Sequence, residues 1–254
     1  MTRRVALVGR DLGYSASPAM HNRAFAHLGL DWRYELCDVG VDELPEVALQ
    51  LRDGRLAGAN VTQPHKAAII ALLDVIEPAA RRVGAVNTVL LRDGWLVGTN
   101  TDLPALAEEL GRLGSFHRAV ILGQGGAARA AAAALGALGA RVELVGRDRW
   151  DQLPALLEVA DLLVNATPIG TGQDISPVPA PWLRGRLAVF DLVYRPSPSR
   201  LVREARATGS LARGGAGMLL RQAARSSALW TGMDAPVAVM RDALRAELGA
   251  GIDA

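Results

Sequence analysis

Apolar and polar positions change period repeatedly along this chain. Residues 4–8 form a short apolar run that closes on Gly9, and Met20, Ala24, Phe25 and Leu28 follow at helical spacing within 18–28. That is strand, loop, helix. Ser17 followed by Pro18 makes a good helix start, with a capping hydroxyl and a proline at the first helical position. The alternation continues as strand 32–39, helix 44–51, strand 57–61 and helix 66–73. Such an order predicts a mostly parallel sheet covered on both faces. Segments 87–91 and 95–97, joined by Arg92-Asp93-Gly94, predict a hairpin on a tight turn, and 103–113 has the spacing of a bridging helix.

A second α/β unit opens with a buried-type strand at 119–122, a turn through Gly123, Gly125 and Gly126, an alanine-rich helix and a strand at 142–145. Strands at 162–165 and 187–191, a helix at 199–207 and amphipathic helices at 218–230 and 237–248 complete the pattern. Gly123, Gly125 and Ala128 match G-x-G-x-x-G/A, placed between strand and helix as nucleotide binding requires. The first glycine permits the turn, the second lets backbone approach a pyrophosphate, and the helix N-terminus meets its charge. After the next strand come Arg147, Asp148 and Arg149. The two arginines favour NADP over NAD, Asp148 acts against that preference, and Glu143 lies too early in the strand to hold a ribose. Arg149 can also belong to a plain solvated charge cluster.

Composition narrows the function. The chain has 254 residues, 50% hydrophobic and 21% charged, enough for two compact units of roughly 100 residues. Cys37 is the only cysteine, which excludes a disulfide framework. A net charge of +2 with scattered arginines and 4% aromatics gives no nucleic-acid face. No apolar run approaches the roughly 20 residues of a membrane span, so a cytoplasmic protein is expected. His21, His27, His65 and His117 lack metal-ligand spacing and read as turn or surface residues. Lys66 is the only lysine among 28 basic residues. Arginine replaces lysine wherever any cation suffices, but a guanidinium cannot give up a proton at working pH, so the surviving lysine is a candidate for proton chemistry. Ser15, Ser17, Asn60, Thr62, Asn87 and Asp102 fall near the ends of expected strands, where open α/β sheets place ligands. Each alone fits a turn former; around one lysine they outline a pocket for a polyhydroxylated or carboxylated molecule.

These residues resemble the shikimate dehydrogenase family across nearly the whole chain. The matching segments are Tyr14-Ser15-Ala16-Ser17-Pro18 with His21-Asn22, Gly58 through Lys66, Gly84-Ala85-Val86-Asn87-Thr88, Asn100-Thr101-Asp102, Gly123 through Ala130, Asn165 through Gly170, Asp191-Leu192-Val193-Tyr194 and Met218 through Gly232. The resemblance implies a substrate domain formed by 1–102 with 219–254 and a Rossmann-like NADP domain at 103–218, with the active site in the cleft between them. It further implies NADPH-dependent, reversible reduction of 3-dehydroshikimate to shikimate, with Lys66 and Asp102 as the catalytic pair. Ser15, Ser17 and Tyr194 would meet the substrate carboxylate; Asn60, Thr62, Asn87, Asp102 and Gln222 would hold ring hydroxyls. Gly123, Gly125, Gly126, Ala127, Arg147, Thr167, Leu192, Gly215 and Met218 would contact the cofactor. Tyr14, Gly146, Asp148, Gly214 and Ser227 depart from residues common in the family, and only 12 residues separate Arg147 from Ala160, which predicts a trimmed nucleotide domain. A quinate or aminoshikimate dehydrogenase and a dinucleotide-binding sensor without turnover are the competing readings. A monomer or homodimer is expected, with no metal.

Overall fold

A computed structural model describes residues 2–249 and divides them into two compact units. Along the chain lie β1 (Arg3–Gly9), α1 (Ser17–His27), β2 (Trp32–Asp38), α2 (Leu44–Arg52), β3 (Gly58–Val61), β4 (Val75–Ile76), α3 (Pro78–Val83), β5 (Thr88–Arg92), β6 (Trp95–Thr99) and α4 (Asp102–Leu113). They are followed by β7 (Arg118–Leu122), α5 (Gly126–Ala137), β8 (Arg141–Val145), α6 (Leu153–Val159), β9 (Leu162–Asn165), β10 (Ala188–Asp191), α7 (Arg200–Ala207), β11 (Ala212–Gly214), α8 (Ala216–Thr231) and α9 (Val237–Leu248). The first unit holds the residues up to Thr101 together with Leu220–Glu247; the second holds Asp102–Leu219 together with Leu248 and Gly249. Among the described residues no helix is long and apolar enough to cross a membrane.

The first unit is built on a six-stranded sheet ordered β2-β1-β3-β5-β6-β4. β1 pairs in parallel with β2 and β3, and β4 with β6; only β5 runs against its neighbours. Alternate residues of β1 serve opposite faces, as a strand's period of two dictates. Ala6 and Val8 pack with Leu44, Val47 and Leu51 of α2, while Val5 and Leu7 pack with Phe25 and Trp230. Trp230 lies over Gly58, where a Cβ would stand 2.4 Å from the indole, and its Nε1 donates to Val89 O at 3.1 Å. The hairpin expected at Arg92-Asp93-Gly94 is present, with Asp93 and Gly94 both at positive φ (52° and 81°), as a type I′ turn requires.

The second unit carries a wholly parallel sheet ordered β11-β10-β9-β7-β8. Val120, Leu122, Val145, Leu163 and Val189 of its strands bury against Leu153, Leu157, Leu201 and Val202. The shortened segment after Arg147 forms a 3₁₀ stretch, Arg147–Gln152, and then α6. The chain enters β9 with no strand in between, so β8 is left as the edge.

Three expectations are corrected. The helix expected at 66–73 is a short 3₁₀ segment, Ala68–Leu72, because Lys66 O accepts from Val86 N (2.8 Å) instead of opening a helical ladder. Ser17 does not cap α1; it is the first helical residue, and its N–H donates to Ser15 Oγ at 3.2 Å. His21 and His65 are not turn or surface groups but buried ones, at 0% and 1% exposure. The strand β4, the helices α3 and α6 and the short strand β11 are additional to the sequence pattern.

His21 stacks on Tyr34 with ring centroids 4.3 Å apart and lies 5.4 Å from the Trp230 ring. Among the described residues neither of its ring nitrogens has a hydrogen-bond partner, and burial holds its pKa down at about 3. The unfolded chain therefore binds a proton at this site below about pH 6.5 that the folded chain refuses until about 3. Stability contributed by neutral His21 is complete above that window and falls as the pH drops through it. His21→Phe keeps the stacking and removes the titration. Denaturant unfolding between about pH 4 and pH 8 should show a shallower acid-side loss of stability in the variant; parallel curves would show that His21 takes up its proton equally in the folded and unfolded states.

Candidate active site

In the first sheet, the chain leaves β1 toward β2 on one side and later returns to β3 on the other, so the ends of β1 and β3 diverge and form a switch point. Gly9 ends β1 there: a Cβ on it would lie 2.5 Å from Thr62 Cγ2. Ser15 and Ser17 follow β1, while Thr62, His65 and Lys66 follow β3. Thr62 N donates to Val8 O at 2.8 Å, and His65 Nε2 bonds Val39 O at 2.8 Å. Both bonds tie the Lys66 turn to the strands beneath it. Lys66 and Thr62 are half-buried and Ser17 is 5% exposed.

Because β5 is reversed, its beginning reaches this same edge. Asn60 stands opposite Thr88, Thr88 opposite Thr99, and Val61 N donates to Asn87 O at 2.8 Å. The Asn87 amide then clasps Thr101: Oδ1 accepts from Thr101 N at 2.8 Å, and Nδ2 donates to Thr101 Oγ1 at 2.9 Å. Asp102, 3% exposed, is the next residue and begins α4. The Asn60 amide is committed within the protein. Its Oδ1 accepts from Tyr34 Oη at 2.9 Å, and its Nδ2 faces Ser226 Oγ, Thr88 Oγ1 and Asn87 O at 3.0–3.1 Å. Gln222, 8% exposed, lies on α8 one turn before Ser226, whose hydroxyl donates to Gln222 O at 3.0 Å.

In the second unit the switch point lies between β7 and β9. Gly123 ends β7 at φ 109°, and a Cβ there would be 3.2 Å from Ala166 O and 3.4 Å from Thr167 Cγ2. Gly125 is the N-cap of α5, so Gly126, Ala127 and Ala128 present first-turn N–H groups with no intrahelical acceptor. These bare backbone donors are the feature a pyrophosphate needs. Thr167 donates its hydroxyl to Asn165 Oδ1 (2.7 Å), and Asn165 Nδ2 donates to Asp191 Oδ1 (2.9 Å). Asp191 is 1% exposed; burial pushes its pKa up to about 6 against the bonds it accepts from Ser199, Val193 N and Asn165. Leu192 N donates to Asn165 O at 2.9 Å, and Gly215 is pressed on Leu192, where a Cβ would come within 2.2 Å of its carbonyl oxygen. Met218, 9% exposed, sits in the first turn of α8, and Tyr194 is half-buried beyond Leu192.

The two arginines after β8 separate. Arg149 pairs with Glu143 at 2.7 Å and donates to Gln152 Oε1 at 2.9 and 3.0 Å, whereas Arg147 is exposed at the start of its 3₁₀ turn. Glu143 thus serves as an internal counterion. Thr88, Thr101, Ser226 and Tyr34 carry polar contacts to which the sequence assigns no role. For Thr88 and Thr101 the signal lay in position, as hydroxyls at strand ends beside Asn87 and Asn100; Tyr34 inside β2 and Ser226 inside α8 carried no such signal.

Two units, one on a mostly parallel and one on a wholly parallel sheet, each with a glycine-ended first strand at its switch point, one lined by polar side chains and the other by bare helix N–H groups, define a dinucleotide-dependent oxidoreductase class. Residues 7–89 match the shikimate dehydrogenase substrate binding domain and 215–245 the shikimate 5'-dehydrogenase C-terminal domain. A shikimate dehydrogenase (NADP(+)) of Symbiobacterium thermophilum is 40% identical, covering 97% of this chain and 95% of its own. A crystal structure of shikimate 5-dehydrogenase from Thermus thermophilus in complex with NADP(H) and shikimate aligns with a TM-score of 0.86 and 39% identity, covering 97% of this chain and all of the other. A shikimate dehydrogenase in complex with NADP+ aligns at 0.88 with 33% identity, covering 97% and 96% of the two chains. The chain belongs to the shikimate dehydrogenase family.

Gly123→Ala should destabilise the protein by about 1 kcal/mol or more, since alanine is strained at φ 109° and its methyl meets the Ala166 carbonyl. Thermal unfolding with and without NADP+ measures this, and an unchanged midpoint would refute the close approach.

Proposed function

We propose that this chain catalyses the NADPH-dependent, reversible reduction of 3-dehydroshikimate to shikimate. The observation that carries the reading is the gathering at one sheet edge of the ends of β1 and β3 and the beginning of β5, which brings Ser15, Ser17, Thr62 and Asn87 to the edge that bears the only lysine. Residues 1–102 with 219–254 act as the substrate domain and 103–218 as the NADP domain. Bound NADPH supplies hydride to the ketone carbon. Lys66 donates the proton that neutralises the alkoxide developing on the oxygen, and its positive charge favours that oxyanion beforehand. Asp102 is the carboxylate of the pair, and it favours the ammonium form of Lys66. Ser15 and Ser17, with Tyr194, meet the substrate carboxylate; Thr62, Asn87, Asp102 and Gln222 take the ring hydroxyls.

On the nucleotide side the residues fit the dinucleotide. Gly123 and Gly125 leave room for a pyrophosphate, Gly126 and Ala127 direct N–H groups to it, and Thr167, Leu192, Gly215 and Met218 line the remainder. Arg147 is the cation for a 2′-phosphate, because Arg149 is already held by Glu143 and Gln152.

Absorbance of NADPH followed with 3-dehydroshikimate, 3-dehydroquinate and amino analogues tests the substrate; no change with any of them would overturn the reading, and preference for another ring would redirect it. Lys66→Ala should lower kcat by roughly 10²–10⁴-fold. Lys66→Arg should be nearly as poor, because a guanidinium keeps the charge and withholds the proton. Full turnover in either variant would remove Lys66 from the chemistry. Arg147→Ala should raise KM for NADPH and narrow its advantage over NADH, while Arg149→Ala should leave that ratio unchanged. Steady-state kinetics with both cofactors decide, and the opposite ranking would transfer the phosphate to Arg149.

A further inference from the structure

Beneath the proposed substrate site lies a closed set of polar groups. Tyr34, Asn60, Asn87, Thr88, Thr101 and Ser226 are each 0–4% exposed. Ser226 Oγ is at the centre, 3.0 Å from Asn60 Nδ2, 2.9 Å from Thr88 Oγ1 and 3.2 Å from Thr101 Oγ1. It reaches these groups from α8, more than a hundred residues along the chain. A serine hydroxyl has one proton and two lone pairs. The proton goes to Gln222 O at 3.0 Å, leaving two lone pairs for Asn60 Nδ2 and the Thr101 hydroxyl, while Thr88 Oγ1 packs against the same oxygen. Thr88 Oγ1 in turn donates to Asn87 Oδ1 at 3.0 Å, and Asn87 Nδ2 donates to Thr101 Oγ1. The Asn60 amide, with both protons directed at three internal acceptors and its oxygen bonded by Tyr34, is a strut between β2, β3, β5 and α8.

We propose that Ser226 is a positioning residue for the substrate site, acting through Asn60, Thr88 and Thr101. Through Thr88 and Thr101 it fixes the rotamer of the Asn87 amide. Through Thr101 it fixes the chain at Asp102, and through the Gln222 carbonyl it fixes the turn of α8 that bears Gln222. Asn60 belongs to this brace. The inference rests on the proposed function, because its readout is recognition of the polyhydroxylated substrate.

Without the Ser226 oxygen, the buried Asn60 amide and Thr101 hydroxyl each lose an acceptor, at a cost of about 1–3 kcal/mol for each group left unpaired. Part of that cost is relieved by rotating Asn87, which misplaces it for substrate. The test is steady-state kinetics of shikimate oxidation by Ser226→Ala, Ser226→Cys and Tyr34→Phe, with thermal midpoints. Cysteine keeps the volume and weakens the acceptor. KM for shikimate should rise roughly tenfold in both Ser226 variants, the equivalent of about 1.4 kcal/mol, and less in Tyr34→Phe. KM for NADP+ should stay within about twofold in all three, since a loss of folded protein alone would move neither constant. The Tyr34→Phe, Ser226→Cys double variant should raise KM by less than the product of the single effects, as members of one network do. If Ser226→Ala does not fold, the cysteine and phenylalanine variants decide. An unshifted shikimate KM in folded variants, or equal rises in both KM values, overturns the inference and leaves the functional reading intact. Absence of shikimate turnover by the unmodified chain overturns both.

Discussion

The reversal of β5 is the constraint on which the first unit's chemistry depends. In a purely parallel sheet every strand begins at the edge opposite the ligands, and the residue before a strand is remote from the site. With β5 antiparallel to both β3 and β6, its first residues meet the last residues of its neighbours, as the pairs Asn60 with Thr88 and Thr88 with Thr99 record. Asn87 is thereby delivered to the edge that carries Thr62 and Lys66. The tight turn at Asp93-Gly94 makes the reversal possible, and the Asn87–Thr101 bonds carry the same edge onward into α4. A change of direction in one short hairpin thus determines which side chains share a site although they lie far apart in sequence.

Much of this was legible from residue patterns because the two strongest local signals agree with the tertiary outcome. Short apolar runs ending in glycine at Gly9 and Gly123 mark strands buried on both faces, which is how β1 and β7 are packed. Asp-Gly between alternating segments marks the hairpin. The failures are equally physical. Residues 66–73 have helical spacing, but spacing does not reveal that the Lys66 carbonyl is claimed by Val86 from the segment leading into β5. β4 and β11 are two and three residues long and are strands only through their neighbours. His21 lacks metal-ligand spacing and reads as a turn or surface residue; in an aromatic cage of Phe25, Tyr34 and Trp230 it behaves instead as a flat apolar ring.

For the site, residue types at strand ends were visible, and their internal partners were not. Motif matching treats Asn60 and Asn87 alike, yet the Asn60 amide protons are directed at Thr88, Ser226 and a carbonyl and its oxygen is met by Tyr34, whereas the Asn87 oxygen is met by Thr101 N and Thr88 and its Nδ2 faces Thr101. Likewise Arg147 and Arg149 are equivalent on paper. Glu143, inside β8 ahead of the turn, distinguishes them by pairing with Arg149. Long-range partners of this kind depend on register and packing, which a residue pattern does not encode.

The two units solve the same geometric problem with different chemistry. In each, the first strand ends in a glycine whose missing Cβ lets it approach the segment after a neighbouring strand across the switch point: Gly9 against Thr62, and Gly123 against Ala166 and Thr167. Beyond Gly9 the backbone is largely occupied, and recognition is left to side-chain hydroxyls and amides whose direction is set by buried partners. A molecule with several hydroxyls requires that, since each must be met by a donor or acceptor at a fixed angle. Beyond Gly123 the side chains are nearly absent, and what is offered is the first turn of α5. A diffuse phosphate charge needs little directionality and gains from close backbone approach, so bare N–H groups at a helix start serve it better than any side chain. The shared scaffold therefore explains where each ligand is expected, and the contrast between crowded polar side chains and exposed backbone explains which ligand each edge can hold.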